Sequence, residues 1–201
     1  DGQVRLSVTG RDSTLHEEAR AALSEALEEG QPTFSALHVD EHSTPHLGVI
    51  APFYMMDGEA VRPVGAIVLQ SNAQQYLYPT IMSWPTPSET AETLLVQRVG
   101  DEVLFLNDLR HQSGTALNLR FPLTSTDLPA AMAVQGVTGI VEGVDYRGVR
   151  VLAALEPIPG SPWFMVAKID RAEALAGWTR LSSLIVALLV GLTLALIAAA
   201  L

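Results

Sequence analysis

The last 21 residues of this 201-residue chain, 181–201, contain no charged side chain. A helix rises about 1.5 Å per residue, so roughly 20 apolar residues cross the ~30 Å core of a bilayer. The run therefore predicts a transmembrane helix, and it lies at the wrong end of the chain for a secretory signal peptide. A buried helix of a soluble protein is the alternative, but such helices rarely extend this far without a charge. The prediction divides the chain into a folded polar part and a membrane anchor.

Small residues recur at every fourth position of this apolar run. Small residues at that spacing let helix backbones approach closely in lipid, where association depends on van der Waals contact. The pattern indicates a seam, either for a homodimer or for another membrane helix, with chance as the alternative because alanine is common in such helices. The positions are Ser183, Ala187, Gly191, Ala195 and Ala199.

The charge of the chain restricts its partners. The net charge is -10, and all of it lies before residue 181. This balance argues against nucleic acid and against docking on anionic lipid, because both require a basic surface. The chain has no cysteine, which excludes a disulfide framework and a thiolate metal site and fits a bacterial envelope protein.

The polar part contains one pattern twice, a helical stretch followed by three strands. Apolar residues at helical spacing and turn dipeptides such as Asp-Gly and Pro-Gly carry the pattern. Residues 1–8 and 100–107 begin the two copies with similar turn-and-strand sequences. In the first copy the helix is 16–29 and the strands are 33–39, 47–53 and 64–70. In the second copy the helix is 128–135 and the strands are 139–144, 149–156 and 163–169.

The second copy also has two opening strands, 92–98 and 102–107, whereas the first lacks its opening strand and is expected to be incomplete at its N-terminus. The predicted fold class is α+β, with two tandem units of antiparallel sheet and flanking helices. The predicted divisions are a membrane-distal unit 1–80, a connection 81–91, a membrane-proximal unit 92–172, a juxtamembrane helix 173–180 and the transmembrane helix 181–201.

Residues 83–107, residues 139–170 and the final helix resemble the double Cache family, in which two PAS-like units precede a membrane helix. The resemblance implies the extracytoplasmic input module of a bacterial receptor in the inner membrane, with residues 1–180 in the periplasm. It also implies a small-molecule ligand, a homodimer and a shift relayed through the final helix. The implied output is a histidine kinase by preference, with a diguanylate cyclase, a phosphodiesterase or a chemoreceptor as alternatives.

Aromatic and polar residues near the end of the first unit are candidates for ligand contact. Tyrosine and tryptophan combine apolar area with a polar group, as small-molecule pockets require. Packing in the core or between the units is the alternative for the aromatic ones. The candidates are His38, Tyr54, Arg62, Tyr76 and Trp84, and Asn118, Arg120 and Tyr146 are comparable residues in the second unit.

A group of His38, Asp40, His42 and His46 has the chemistry of a zinc or nickel site, but its polar surroundings favour a solvated loop. We therefore predict no metal site, and the sequence also predicts no cofactor and no catalytic residue. Nucleotide-binding and nucleophile-elbow motifs are absent from the sequence. A membrane-tethered binding module without signalling output remains the main alternative function, and a tethered hydrolase or metalloenzyme is a third.

Overall fold

The computed structural model describes residues 3–8, 15, 17–39, 44–58 and 60–200. It is an α+β fold built on two antiparallel sheets. The elements of the first sheet and its helices are α1 (Glu17–Glu29), β1 (Thr33–Phe34), β2 (His38–Val39), β3 (Pro45–Asp57), β4 (Ala60–Asn72) and α2 (Leu77–Met82).

In the first sheet, β3 lies in the middle. It pairs with β4 from His46 opposite Asn72 to Asp57 opposite Ala60, and β1 and β2 share its other edge. The sequence predicts one strand at 33–39, but Ser35 divides it. The backbone N–H of Ser35 donates to Gly48 O, and the Ser35 hydroxyl accepts the Gly48 N–H, both at 2.9 Å. A side chain has thus replaced one backbone partner, which interrupts the strand between β1 and β2.

The second sheet has six strands in the order β7-β6-β5-β10-β9-β8. The predicted strands of this half are all present, with ends that differ by no more than two residues, whereas β7 is a three-residue strand that we did not predict. The elements are β5 (Glu92–Val99), β6 (Glu102–Phe105), β7 (Arg120–Pro122), α3 (Pro129–Val134), β8 (Gly139–Val144), β9 (Arg150–Pro157) and β10 (Trp163–Asp170).

The predicted strand 102–107 ends at Phe105 because a side chain takes over the pairing. Asn107 is buried, and its Oδ1 accepts the backbone N–H of Leu95 at 2.7 Å. Its Nδ2 donates to Thr93 O at 3.2 Å. Buried backbone groups need partners, so this amide keeps the edge of β5 satisfied where β6 has ended. The loop from 106 to 119 is thereby held against the start of β5.

Three apolar clusters hold these elements together. One lies between the second sheet and α3 and is centred on Phe105, Val96 and Val166. A smaller one packs α1 on the first sheet through Ala22, Ala26 and Ile50. The third joins the two parts of the chain and comprises Leu37, Ala73, Tyr78, Leu95, Leu104, Leu106 and Trp163.

The chain ends in α4 (Arg171–Ala174) and α5 (Ala176–Ala200). α4 follows β10 directly, and α5 exposes large apolar side chains such as Leu184, Leu188 and Leu192. Among the described residues, no helix has the combined length and hydropathy needed to cross a membrane. The predicted transmembrane helix 181–201 is therefore not confirmed.

Other sequence expectations concern the N-terminal residues, the histidine group and the small-residue positions of α5. Residues 3–8 form no strand, so the predicted similarity to 100–107 is not confirmed for them, and residues 1 and 2 lie outside the described residues. Asp40, His42 and Leu201 lie outside the described residues, as do the side chains of Ser183, Ala195 and Ala199. Ala187 and Gly191 are exposed, and a Cβ added to Gly191 would meet no atom within 4 Å.

Candidate functional site

A cleft of about 360 Å³ lies beside the start of β5, under the segment that joins α2 to the second sheet. One wall is the end of α2 and the segment 83–91 that follows it, which we call the connecting segment. The other wall is the start of β5 and the loop after β6. Ligand pockets combine apolar surface with a few placed polar groups, and the cleft has both. Its principal lining residues are Met82, Trp84, Ser88, Glu92, Asp108 and Arg110.

Arg110 holds the two walls of the cleft together. Its guanidinium donates to Ala91 O at 2.7 Å and to Ser88 O at 2.9 Å. Its backbone N–H donates to a carboxylate oxygen of Glu92 at 2.8 Å. Opposite charge comes from Asp108, whose Oδ1 accepts the backbone N–H groups of Thr115 and Ala116. The cleft therefore presents a fixed cation and a fixed anion.

Behind Glu92 lies a buried ion network of Glu92, Asp145, Arg147, Lys168 and Asp170. The Lys168 ammonium, 1% exposed, is 2.7 Å from carboxylate oxygens of both Glu92 and Asp145. Arg147 contacts Asp145 at 2.7 Å and also pairs with Asp170. Buried charges are costly unless they are paired, and each charge here has an opposite partner. The network connects the start of β5 to the end of β10.

Tyr146 lies over the ion network. Its hydroxyl donates to Glu92 at 2.8 Å, and the Lys168 ammonium is 5.0 Å from its ring centroid. Burial, followed by the hydrogen bond to Glu92, raises the pKa of Tyr146. Burial alone would raise the pKa of Asp145, but the hydrogen bonds from Lys168 and Arg147 outweigh it and lower that pKa. The carboxylate of Asp145 and the phenol of Tyr146 thus both keep their protonation states across the physiological range.

The connecting segment is bonded directly to α4 through Glu173. One carboxylate oxygen accepts the Ser88 hydroxyl at 2.7 Å and the Glu89 N–H at 3.1 Å. The other accepts the Thr90 N–H at 2.9 Å and the Thr90 hydroxyl. The Thr90 hydroxyl in turn accepts the N–H of Asp170 at 3.1 Å. We call this set of bonds to Glu173 the carboxylate clamp.

The carboxylate clamp forms only while Glu173 is ionised, so its strength depends on pH. Hydrogen bonds from Thr90, then Ser88, then backbone N–H groups lower the pKa of Glu173 from 4.5 to about 2. A lowered folded-state pKa means that the clamp is fully stabilising above about pH 4.5 and weakens as the pH falls through about 2.

We therefore expect the amide proton shifts of Glu89 and Thr90 to titrate with a midpoint near pH 2, measured by NMR. The Glu173→Gln variant should lack that titration. A midpoint near 4.5 would contradict the clamp.

The five predicted ligand residues lie in separate places. Trp84 lines the cleft, and Tyr76 is exposed just before α2. His38 is buried on β2 opposite His46, with their ring centroids 6.4 Å apart. Tyr54 and Arg62 lie near the far end of the β3–β4 hairpin, where Met55 pairs with Arg62. Of these five residues, the structure brings only Trp84 to the cleft, and the ligand-binding roles of all five stay predictions.

The comparable residues of the second unit also differ in setting. Tyr146 belongs with the ion network, whereas Arg120 forms an exposed pair with Glu102 at 3.5 Å. Asn118 lies in the turn before β7, where its N–H donates to Thr115 O. No group of three potential metal ligands occurs among the residues that the structure describes. A shallower hollow of about 420 Å³ separates α1 from the region of β1, lined in part by Glu17, Glu25 and Phe34.

Sequence reasoning missed the residues that connect the cleft to the C-terminal helices. Lys168 carries a readable signal, because it shares the buried side of β10 with Val166 and a charge at such a position needs a partner. Glu173 and Arg110 carry no comparable signal, since their partners are backbone groups and hydroxyls about 20 to 85 residues away.

Comparison with solved structures identifies the architecture. The extracellular domain of mmHK1S-Z3, a protein assigned as a histidine kinase, matches with a TM-score of 0.57 and 16% identity, covering 84% of this chain and 60% of that one. The fold is that of the Cache-like sensor domains. The corresponding domain of mmHK1S-Z2 matches this Cache-like chain with a TM-score of 0.56 and 18% identity, covering 81% and 60%.

A ligand-binding domain solved with an amino acid has the same fold. The ligand-binding domain of Mlp24, solved with asparagine, matches with a TM-score of 0.50 and 14% identity, covering 88% of this chain and 63% of that one. The chain therefore spans about 60% of the length of these three structures. No protein-family model matches the sequence, and the comparison with curated proteins gives no match. At these identities the likeness establishes the fold.

Proposed function

We propose that this chain is the extracytoplasmic, ligand-sensing input module of a bacterial signalling receptor. The observation that carries the proposal is the cleft beside the start of β5, which lies in a Cache-like fold and has one wall bonded to the C-terminal helices. A site that only stabilised the fold would need no open volume. The module itself performs no chemistry in this proposal; it binds a small molecule and changes shape.

The ligand that best fits the cleft is a small zwitterion such as an amino acid. Arg110 offers a cation for a carboxylate, Asp108 offers an anion for an ammonium group, and Trp84 and Met82 offer apolar surface. The asparagine in the Mlp24 structure belongs to that protein, but it makes amino acids a rational first choice here. His38, Tyr54, Arg62 and Tyr76 remain proposed contacts of a second site in the unit 1–80.

Thermal unfolding with a panel of small molecules tests ligand binding. The panel contains the amino acids, γ-aminobutyrate, simple carboxylates and simple amines. A ligand at 100 times its Kd stabilises the folded state by about 2.7 kcal/mol, which corresponds to several degrees in Tm. We expect at least one zwitterion to raise Tm by that amount for the wild-type chain and by much less for Arg110→Gln. A panel in which no compound changes Tm would contradict the proposal.

For the division of the chain into units, its location and its output, we propose what the sequence predicts. Residues 1–80 and 92–172 form the two units, 81–91 connects them, and 173–180 leads into the final helix. Residues 1–180 lie outside the cytoplasm at the inner membrane, and the output is a histidine kinase. Addition of ATP to the full-length receptor should then give autophosphorylation whose rate changes with ligand. A receptor that binds ligand but shows no ATP-dependent phosphorylation would favour a cyclase, a phosphodiesterase or a chemoreceptor.

We further propose that the receptor is a homodimer joined along the small-residue positions of α5. Gly191→Leu places a large side chain in the middle of that seam. The control variant Leu192→Ala changes a neighbouring position of α5 that is not part of the seam. Crosslinking of the full-length protein should show fewer dimers for Gly191→Leu alone. Equal dimer yields would contradict the seam. A binding module without output is the remaining alternative, and a full-length chain lacking any further domain would favour it.

A further inference from the structure

The connecting segment is held from both sides by side chains of other elements. From the cleft side, Arg110 donates to the carbonyls of Ser88 and Ala91. From the opposite side, Glu173 accepts the hydroxyls of Ser88 and Thr90 and the N–H groups of Glu89 and Thr90. The four residues 88–91 therefore contact both the cleft and the first turn of the C-terminal helices.

Internal bonds make this short segment move as a unit. The Ser88 hydroxyl accepts the Ala91 N–H at 2.9 Å while it donates to Glu173. The Thr90 hydroxyl donates to Glu173 and accepts the N–H of Asp170, the residue that precedes α4. A displacement of the backbone at Ser88 or Ala91 therefore cannot occur without a change at Glu173 or Asp170. A charged carboxylate with four donors also makes each of these bonds stronger than a neutral one.

A second chain of contacts runs in parallel. Glu92 accepts the Arg110 N–H on the cleft side and pairs with Lys168 on the other. Lys168 contacts Asp145, and Arg147 links Asp145 to Asp170. Both routes begin at Arg110 and both end at the junction of β10 and α4. Rigid, fully paired networks transmit displacement between discrete arrangements, whereas floppy linkers do not.

We propose that residues 88–91 couple the cleft to α4 and α5, with Arg110 as the input and the Glu173 carboxylate as the coupling group. Glu173 is a positioning residue, because it touches no cleft surface and acts through Ser88 and Thr90. Occupancy of the cleft changes the bonds of Arg110, the segment shifts, and α4 follows. This inference rests on the proposed sensor function only in taking a bound ligand as the event that changes the bonds of Arg110. The bonds that connect the cleft to α4 do not depend on that function.

Three tryptophans are well placed to report on this connection. Trp84 lines the cleft, Trp163 is buried between the sheets, and Trp178 is exposed on α5. The whole chain labelled with 5-fluorotryptophan gives one ¹⁹F NMR signal for each. The signals are assigned by replacing each tryptophan with phenylalanine. No ligand is needed, so the measurement is independent of the thermal panel that tests the proposed function.

Coupling between two sites is reciprocal, so the test is made in both directions. Arg110→Gln perturbs the cleft side, and we expect the Trp178 signal to move by more than its linewidth. Glu173→Gln perturbs the helix side, and we expect the Trp84 signal to move likewise. Ser88→Ala, which removes one donor of the clamp, should move both signals by a smaller amount. It also serves as the test variant if Glu173→Gln does not fold.

The matched controls remove the same charges without touching the segment's bonds. Arg98→Gln changes an arginine whose guanidinium bonds to Gly100 O at the far end of β5. Glu89→Gln neutralises an exposed side chain and keeps the backbone N–H that bonds to Glu173. Neither should move the distant signal, and the Trp163 signal should stay fixed throughout. If Arg110→Gln moved only Trp84 and Glu173→Gln moved only Trp178, the coupling would be refuted, while ligand binding in the thermal panel would be unaffected.

Discussion

Lys168→Met is expected to destabilise the chain by about 3–5 kcal/mol, because it leaves a buried carboxylate without its cation. Glu92 loses its only ion-pair partner among the described contacts, and Asp145 keeps Arg147. Methionine fills a similar volume, so the loss reflects charge more than packing. The measurement is the midpoint of urea unfolding together with its slope.

Two further variants compare the loss of stability on breaking a buried ion pair with the loss on breaking an exposed one. Arg120→Met breaks the exposed pair with Glu102, whose side chains are 41% and 48% exposed, and should change stability by less than about 1 kcal/mol. Adding Glu92→Gln to Lys168→Met removes the stranded charge and should restore part of the loss. A loss of under 1 kcal/mol for Lys168→Met, or no rescue by the second substitution, would contradict the network.

Trp163→Ala is expected to cost about 3–5 kcal/mol and to loosen the two sheets from each other, as loss of a large buried aromatic side chain does. Trp163 is 8% exposed, and its cluster contains Leu37 and Tyr78 from the first part of the chain and Leu95 and Leu106 from the second. The measurement is again chemical unfolding, with Tyr78 hydrogen exchange or limited proteolysis between the sheets as a second readout.

The tryptophan prediction has two internal controls. Trp178 is 73% exposed, so Trp178→Ala should leave stability nearly unchanged. The buried Nε1 of Trp163 has no hydrogen-bond partner in the described part of the chain, so Trp163→Phe loses no bond, keeps an aromatic ring in the cluster and should cost less than Trp163→Ala. A loss of under about 1 kcal/mol for Trp163→Ala would mean that packing between the sheets does not depend on this side chain.

The sequence predicts the second sheet better than the first for a physical reason. Turns at 145–148 and 159–162 and regular alternation define β8, β9 and β10 almost to the residue. In the first sheet, a side chain at Ser35 replaces a backbone partner and divides a strand that alternation alone reads as continuous. The strand β7 has only three residues, too few to carry a periodic signal.

The candidate site could be predicted only in part. Trp84 was a candidate because it lies near the end of the first unit and combines apolar area with a polar group. The rest of the site depends on contacts between distant residues, such as Ser88 with Glu173 and Glu92 with Lys168. Sequence spacing carries no information about such contacts unless the strand order is already known. The buried position of Lys168 on β10 is the one exception that alternation makes readable.

The central claim is that the cleft lined by Trp84, Asp108 and Arg110 binds the signal molecule. The most direct measurement is a calorimetric titration of the chain with the compound that gives the largest thermal shift, repeated for Trp84→Ala and for Tyr54→Ala. The cleft account predicts that Kd rises at least tenfold for Trp84→Ala, which lines the cleft, and stays within twofold for Tyr54→Ala, which lies at the far end of the first sheet. The reverse pattern would place the ligand in the first unit and contradict the account.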